Sequence, residues 1–161
     1  MNKLLEVLNK NSRLTPLQLA TMLGSTESEI IDQIEFLENK GIIKGYHTLI
    51  NWDKIPDAMT SAIIEIKVSP KKDTGFEEIA KNISAFEEVD SVYLMAGVFD
   101  LAIVVKGKDI KDIATFVSRK LSTLDSVIST STHFIMSKFK EDGAILIDDE
   151  DNDEKRSMLF W

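Results

Sequence analysis

The chain has 161 residues, 43% of them apolar, a formal charge of −8 and no cysteine. That size and apolar fraction suit one ordinary domain or two small ones and exclude global disorder, while the missing cysteine excludes a disulfide framework, a thiolate metal site and a cysteine nucleophile. The N-terminus has no apolar run of signal-peptide length, and no stretch approaches the roughly 18–20 apolar residues that span a bilayer, so a soluble, cytoplasmic protein with no membrane partner is expected.

Leu4, Leu5 and Leu8 recur at helical spacing and predict an amphipathic helix over residues 2–9, interrupted by Asn11-Ser12-Arg13. Thr15-Pro16-Leu17-Gln18 is a helix start: Thr15 can cap, Pro16 suits the first helical position, and Gln18 completes a capping box. Leu17, Ala20 and Leu23 should face one side, and Gly24 ends this short helix. Thr26-Glu27-Ser28-Glu29 repeats the capping box. Ile30, Ile34 and Leu37, flanked by Ile31 and Phe36, carry a longer helix to about Lys40, and Gly41 stops it. Two short helices meeting through a Gly-containing turn, with a third before them, fit a helix-turn-helix. The same spacing also fits a plain three-helix bundle.

After Gly41 the pattern changes. Ile42-Ile43 and Gly45–Ile50 read as a short extended segment, and Asn51–Asp57 as a linker. Thr60–Val68 alternates and is rich in β-branched residues, which predicts a strand. A loop over Ser69–Asp73 and a helix over Phe76–Ile83 follow, with Phe76, Ile79 and Ile83 on one face. Strands are predicted over Val89–Ala96 and Phe99–Val105. Asp109 caps a helix to about Leu121, with Ile110, Ile113, Phe116, Val117 and Leu121 inward, and Val127–Ile135 is the last strand. The order βαββαβ is the ferredoxin-like split unit, so the fold class is α+β. Its sheet carries helices on one face only. Strand faces bearing Ile64, Ile66, Leu94, Leu101 and Ile103 suggest that a second copy covers the other face, in a homodimer.

These readings divide the chain into a helix-turn-helix domain (1–45), a hinge strand and linker (46–58), a ferredoxin-like domain (59–140) and an acidic tail (141–161). Charge is uneven along it. Residues 1–52 hold five Lys/Arg and six Asp/Glu, whereas residues 148–161 hold two and six. The run Asp148–Glu154 reads as a solvated tail, and Met158-Leu159-Phe160-Trp161 after it is apolar enough to anchor on a partner subunit.

Leu14-Thr15-x-x-x-Leu19-Ala20-x-x-Leu23-Gly24, then Leu37-Glu38-x-x-Gly41-Ile42-Ile43-x-Gly45-Tyr46, and in the second half Gly97-Val98-Phe99-Asp100 between two strands, resemble the Lrp/AsnC (feast/famine) regulators over about residues 1–140. The resemblance implies a winged helix-turn-helix that binds DNA as a dimer, with residues 45–50 as wing or hinge. It also implies a C-terminal domain that assembles dimers, often into tetramers or octamers, and binds an amino acid or related metabolite near the Gly-x-x-Asp turn. The sequence offers no phosphate-cradling Gly loop, no metal-ligand spacing, only two His and no nucleophile with an identifiable base, so no enzyme activity, cofactor or metal is expected.

On that basis the expected DNA contacts are Arg13, Thr15, Ser25, Thr26, Ser28, Gln33, Lys40, Lys44 and His47. The expected effector contacts are Met95, Ala96, Gly97, Val98, Phe99, Asp100 and Thr132, with Ser131 and His133 as lesser candidates. Gly97 allows positive φ and close backbone approach, Asp100 suits an ammonium group, and exposed N–H groups suit a carboxylate. Gly97 and Asp100 can equally serve only to shape a hairpin. One departure stands out. The expected recognition helix carries Glu27, Glu29, Asp32, Glu35 and Glu38 and no Lys or Arg, where family members carry Arg or Lys near Asp32 and Gln33. Five carboxylates repel the DNA backbone, whose phosphates supply much of the binding affinity. A second reading therefore stays open: a metabolite-binding or hetero-oligomerising modulator that has lost strong DNA binding.

Overall fold

The computed structural model describes residues 3–69 and 75–147. Most of the expected Ser69–Asp73 loop, the acidic run from Asp148 and the apolar end Met158–Trp161 lie outside these residues. The chain divides into two compact units, the first closing at Leu49 and the second opening at Ile50.

The first unit holds helices α1 (Lys3–Lys10), α2 (Pro16–Leu23) and α3 (Glu27–Asn39). Both capping boxes form. Thr15 accepts from the Gln18 amide while Gln18 accepts from the Thr15 amide, and Thr26 and Glu29 do the same. Each box satisfies two N–H groups that a helix start leaves without an intrahelical acceptor. Gly24 closes α2 in the left-handed region at φ 68°, which a side chain rarely tolerates. Leu4, Leu8, Leu19, Ala20, Ile30 and Leu37 form the buried core of this unit. Leu17 does not join it. It stands about 200° round the helix from buried Leu19 and is 60% exposed.

Residues 45–50 were expected to form a strand, and they do not. The segment carries no strand assignment and pairs with no described strand. Extended backbone becomes a strand only where a neighbour completes the ladder.

The second unit is built on one four-stranded antiparallel sheet in the order β2-β3-β1-β4, with β1 Thr60–Val68, β2 Val89–Leu94, β3 Leu101–Gly107 and β4 Val127–Ile135. Helix α4 (Phe76–Ser84) links β1 to β2. Helix α5 (Ile110–Phe116), continued by a wide π turn over Val117–Leu121, links β3 to β4. The order is βαββαβ. Both helices pack on the same face, where Ala62, Ile64, Ile66, Leu101, Ile103, Val105, Ile79, Ile83, Ile113, Phe116 and Leu121 are buried.

This placement corrects the expected open face. Ile64, Ile66, Leu101 and Ile103 are fully buried under the helices, not left for a partner. A strand presents alternate residues to opposite sides, and the unbroken apolar row of β1 turns toward the helices. The open face instead carries Ile63, Glu65 and Lys67 of β1, with Tyr93, Val104, Ser131 and His133 level with them on the neighbouring strands. Ile110 is also misplaced by periodicity. Gly107, the last residue of β3, lies so close under Ile113 that a Cβ there would come within 2.8 Å of its Cγ1. Ile110, one turn earlier, is 54% exposed.

Residues 141–147, expected to open the tail, mostly belong to a hairpin of β5 (Lys140–Glu141) and β6 (Ala144–Ile145). Its turn is Asp142-Gly143, both with positive φ, at 46° and 84°, as a two-residue hairpin loop requires.

The buried row of β1 should dominate the stability of this unit. Ile64→Ala is expected to lose about 2–5 kcal/mol in urea denaturation, while Glu77→Ala on exposed α4 surface should stay within about 0.5 kcal/mol.

Candidate DNA-reading helix and effector loop

Helix α3 buries Ile30 and Leu37 and half-buries Ile34, so its outward stripe is Ser28, Asp32, Glu35 and Asn39, spaced one and two turns apart. Gln33 lies beside that stripe and is exposed. No cation lies within the helix.

Apart from Ser28 and Gln33 on or beside the stripe, the expected DNA residues fall into two groups. Thr15, Ser25 and Thr26 are tied into helix starts. Thr15 and Thr26 are the N-caps, and the Ser25 hydroxyl donates to Glu29 Oε2 at 2.6 Å. That hydroxyl, followed by the Thr26 amide, holds the Glu29 carboxyl below its ordinary value. The cations form the second group. Arg13 is exposed in the α1–α2 turn. Lys40 caps the end of α3 with its ammonium 5.7 Å from the Phe36 ring centre. Lys44 folds its ammonium back over Gly41. His47 is exposed further along. Ser28 thus opens an acidic stripe that Gln33 flanks at mid-helix, and Lys40 and Lys44 follow its C-terminal end.

One link in this unit was not anticipated. The Tyr46 hydroxyl donates to Glu38 Oε1 at 2.9 Å and fastens the segment after α3 back onto the helix. Partial burial, then the Glu38 carboxylate, raises the Tyr46 pKa above its ordinary value. A separation of eight residues across a helix end carries no periodic signal.

In the second unit, the loop between β2 and β3 brings Met95, Ala96, Gly97, Val98, Phe99 and Asp100 together. The Met95 amide donates to the Asp100 carbonyl at 2.8 Å and closes the loop. Asp100 then fixes it to β1. Its amide donates to the Ile66 carbonyl at 3.0 Å, and its Oδ2 accepts from the Val68 amide at 2.9 Å. Lys67 reaches in from β1, donating to the Val98 carbonyl at 3.0 Å with its ammonium 3.5 Å from Asp100 Oδ1. Lys67 is the residue that sequence reasoning missed. Only the register of β1 against the loop places it there.

The tip of the loop is open. Ala96, Gly97 and Val98 are exposed, Val98 by 81%. Gly97 corrects an expectation. It is not among the residues with positive φ, and a Cβ built on it meets no atom within 4 Å. Nothing among the described residues therefore requires glycine there. Thr132 is not gathered to the loop. It lies opposite Ile64 on the helix-covered side of β4, whereas the β4 residues level with Lys67 and Val68 are Ser129 and Val127. Ser131 and His133 face the other way, where the His133 ring Nε2 lies 3.2 Å from the Ser131 hydroxyl and 3.1 Å from Glu65 Oε2.

Two family models match the sequence. Residues 61–145 match the Lrp/AsnC ligand binding domain, and residues 2–44 match a winged helix-turn-helix DNA-binding domain. A Bacillus subtilis protein, the uncharacterized HTH-type transcriptional regulator YugG, is 44% identical over 98% of this chain and 94% of its own length. The leucine-responsive regulatory protein of Haemophilus influenzae is 27% identical over 90% of this chain and 87% of its own. In fold, the chain resembles the transcriptional regulator NMB0573 of Neisseria meningitidis, solved as an L-Met complex. The TM-score is 0.69 and the identity 24%, over 86% of this chain and 89% of that one.

The anchoring geometry yields two measurable outcomes. Asp100→Ala leaves the amide of buried Val68 without its side-chain acceptor and should cost about 1–3 kcal/mol. Lys67→Met, which breaks an exposed ion pair to Asp100 and an exposed hydrogen bond to the Val98 carbonyl, should cost under about 1 kcal/mol. Urea denaturation and amide exchange at Val68 separate the two. At the start of α3, the lowered carboxyl of Glu29 contributes stability that is present above the ordinary value of 4.5 and is lost as pH falls through the folded value. Ser25→Ala should move the Glu29 titration upward in a carbon-detected NMR series.

Proposed function

The chain belongs to the Lrp/AsnC family of helix-turn-helix transcriptional regulators, and from that premise we propose that it binds promoter DNA as a dimer or larger homo-oligomer under the control of an amino acid or close relative. The family is one of transcription regulators, not enzymes. The observation that carries the effector half is the β2–β3 loop. Both its ends are hydrogen-bonded while its tip stays exposed, with room at Gly97 for an approaching group.

In this reading the backbone of Ala96–Val98 supplies the effector contacts, and Met95 and Phe99 flank them. Asp100 acts through the loop, because its carboxylate already holds the Val68 amide and faces Lys67. Lys67 lies within reach of an effector carboxylate. Thr132 is assigned to the wall of the core. The names of two similar proteins support the amino-acid class: one is leucine-responsive and another was solved with L-Met.

For DNA, Ser28 and Gln33 are assigned to base edges and Arg13, Lys40, Lys44 and His47 to phosphates. Thr15, Ser25 and Thr26 orient the helix starts. Avidity in an oligomer offsets the weak individual grip of an acidic helix. The pairing surface is assigned to the open sheet face around Ile63, Tyr93 and Val104, where apolar side chains surround the Glu65–His133 pair. The second reading, a modulator without DNA binding, is favoured by one observation: the outward stripe of α3 carries Asp32 and Glu35 and no cation.

Purified full-length protein should retard a fragment from upstream of its own gene at low salt. Binding should fall by orders of magnitude between about 50 and 200 mM. No retardation of any genomic fragment at the lower salt, with a stable oligomer in sedimentation, selects the modulator reading. One or more free amino acids should raise the melting temperature, and Asp100→Ala should remove the rise. A full panel without effect defeats the effector assignment.

A further inference from the structure

The β2–β3 loop and the strand end that receives it are rich in hydrogen-bond donors and short of charged acceptors. Asp100 carries the loop's one carboxylate, and both of its oxygens are engaged. Oδ2 accepts from the Val68 amide at 2.9 Å, and Oδ1 faces the Lys67 ammonium at 3.5 Å. The Asp100 side chain is only 21% exposed, so little of it meets an arriving group. Lys67 is less committed. An ammonium has three N–H groups. One donates to the Val98 carbonyl and one turns to Asp100, which leaves a third on a side chain that is 43% exposed. Beside it the amides of the exposed residues Ala96, Gly97 and Val98 donate to no acceptor among the described residues. The carboxylates of the neighbouring strands are held elsewhere, Glu65 by His133 and Asp90 by Lys106.

We propose that the loop selects its effector by the carboxylate and is indifferent to the amino group, so that the 2-oxo acid of matching side chain is as good a ligand as the amino acid. The assignment rests on the effector reading above and names the group that is read. Three successive N–H groups and an ammonium offer a carboxylate charge-assisted hydrogen bonds. A ligand ammonium finds no equivalent partner. The charge of Asp100 is already met by Lys67, and Lys67 repels a second cation brought beside it. The loop's carbonyls can accept from an ammonium, but water does the same in solution, so the net gain is small. A regulator built in this way reports the summed concentration of an amino acid and the 2-oxo acid with which amino-group transfer interconverts it.

Matched triads test this on the full-length protein: a free amino acid, the 2-oxo acid with the same side chain, and the amino acid carboxamide. They begin with leucine and methionine and extend to every side chain whose 2-oxo acid is stable in water. Melting temperature detects binding, and equilibrium dialysis gives Kd. For the side chain that binds, the 2-oxo acid should match the amino acid within about threefold, and the carboxamide should bind about tenfold or more weakly, as hydrogen bonds to a charged group are lost. Lys67→Met should weaken both acids about tenfold and leave the carboxamide unchanged, whereas Lys67→Arg, which keeps the charge, should retain most of the affinity. A carboxamide that binds as tightly as its amino acid, or a 2-oxo acid that fails to bind beside an amino acid that does, overturns the proposal, because the amino group is then what is read. Acids whose affinity ignores Lys67→Met overturn it too. Those outcomes leave the effector reading standing, whereas no binding in any triad defeats that reading and this assignment with it.

Discussion

The side-chain alternation of β1 governs the second unit. This strand is hydrogen-bonded on both sides, to β3 and to β4, and one of its faces is the apolar row Ala62, Ile64, Ile66 and Val68. Turning that row toward α4 and α5 fixes everything on the other side: Ile63, Glu65 and Lys67 must face outward. The far end of β1, at Ile66–Val68, receives the β2–β3 loop through Asp100. A one-residue slip would bury Glu65 and Lys67 and expose the core row, so the register is strongly specified.

Much of this was legible in the sequence wherever the signal is local. The two capping boxes, Gly24, and the bounds of β1 and β4 follow from neighbouring residues, and the Lrp/AsnC resemblance rests on stretches of the same kind. What escaped reading depends on partners far along the chain. The faces of Ile64 and Leu101 cannot be told from an alternating pattern alone, because alternation separates two sides without naming them. Lys67 meets Val98 and Asp100 only through strand register. The segment over 45–50 has the composition of a strand but pairs with no described strand. Asp142-Gly143 was a missed opportunity, since that dipeptide between Glu141 and Ala144 is a local hairpin signal. Gly97 was read for a backbone freedom that the loop does not use.

The acidic character of α3 changes how its neighbours must be understood. In a helix whose carboxylates face outward, the cations at its end cannot be treated as a surplus. Lys40 lies over Phe36 and Lys44 over Gly41, so both are held close to the helix terminus, where positive charge is favoured by the aligned peptide dipoles. Any phosphate met there is met by side chains already positioned. The Tyr46–Glu38 hydrogen bond adds to this by tying down one of the carboxylates and the segment that follows.

Among the described residues Gly97 is spatially idle: its φ is not positive, and nothing lies within 4 Å of where a side chain would begin. Such a position is decoupled from folding. Enlarging it alters what can approach the loop while the hydrogen bonds of Met95 and Asp100 keep its frame. Under the effector reading proposed above, substitution at that one site is expected to change which ligand the loop admits while the scaffold stays the same.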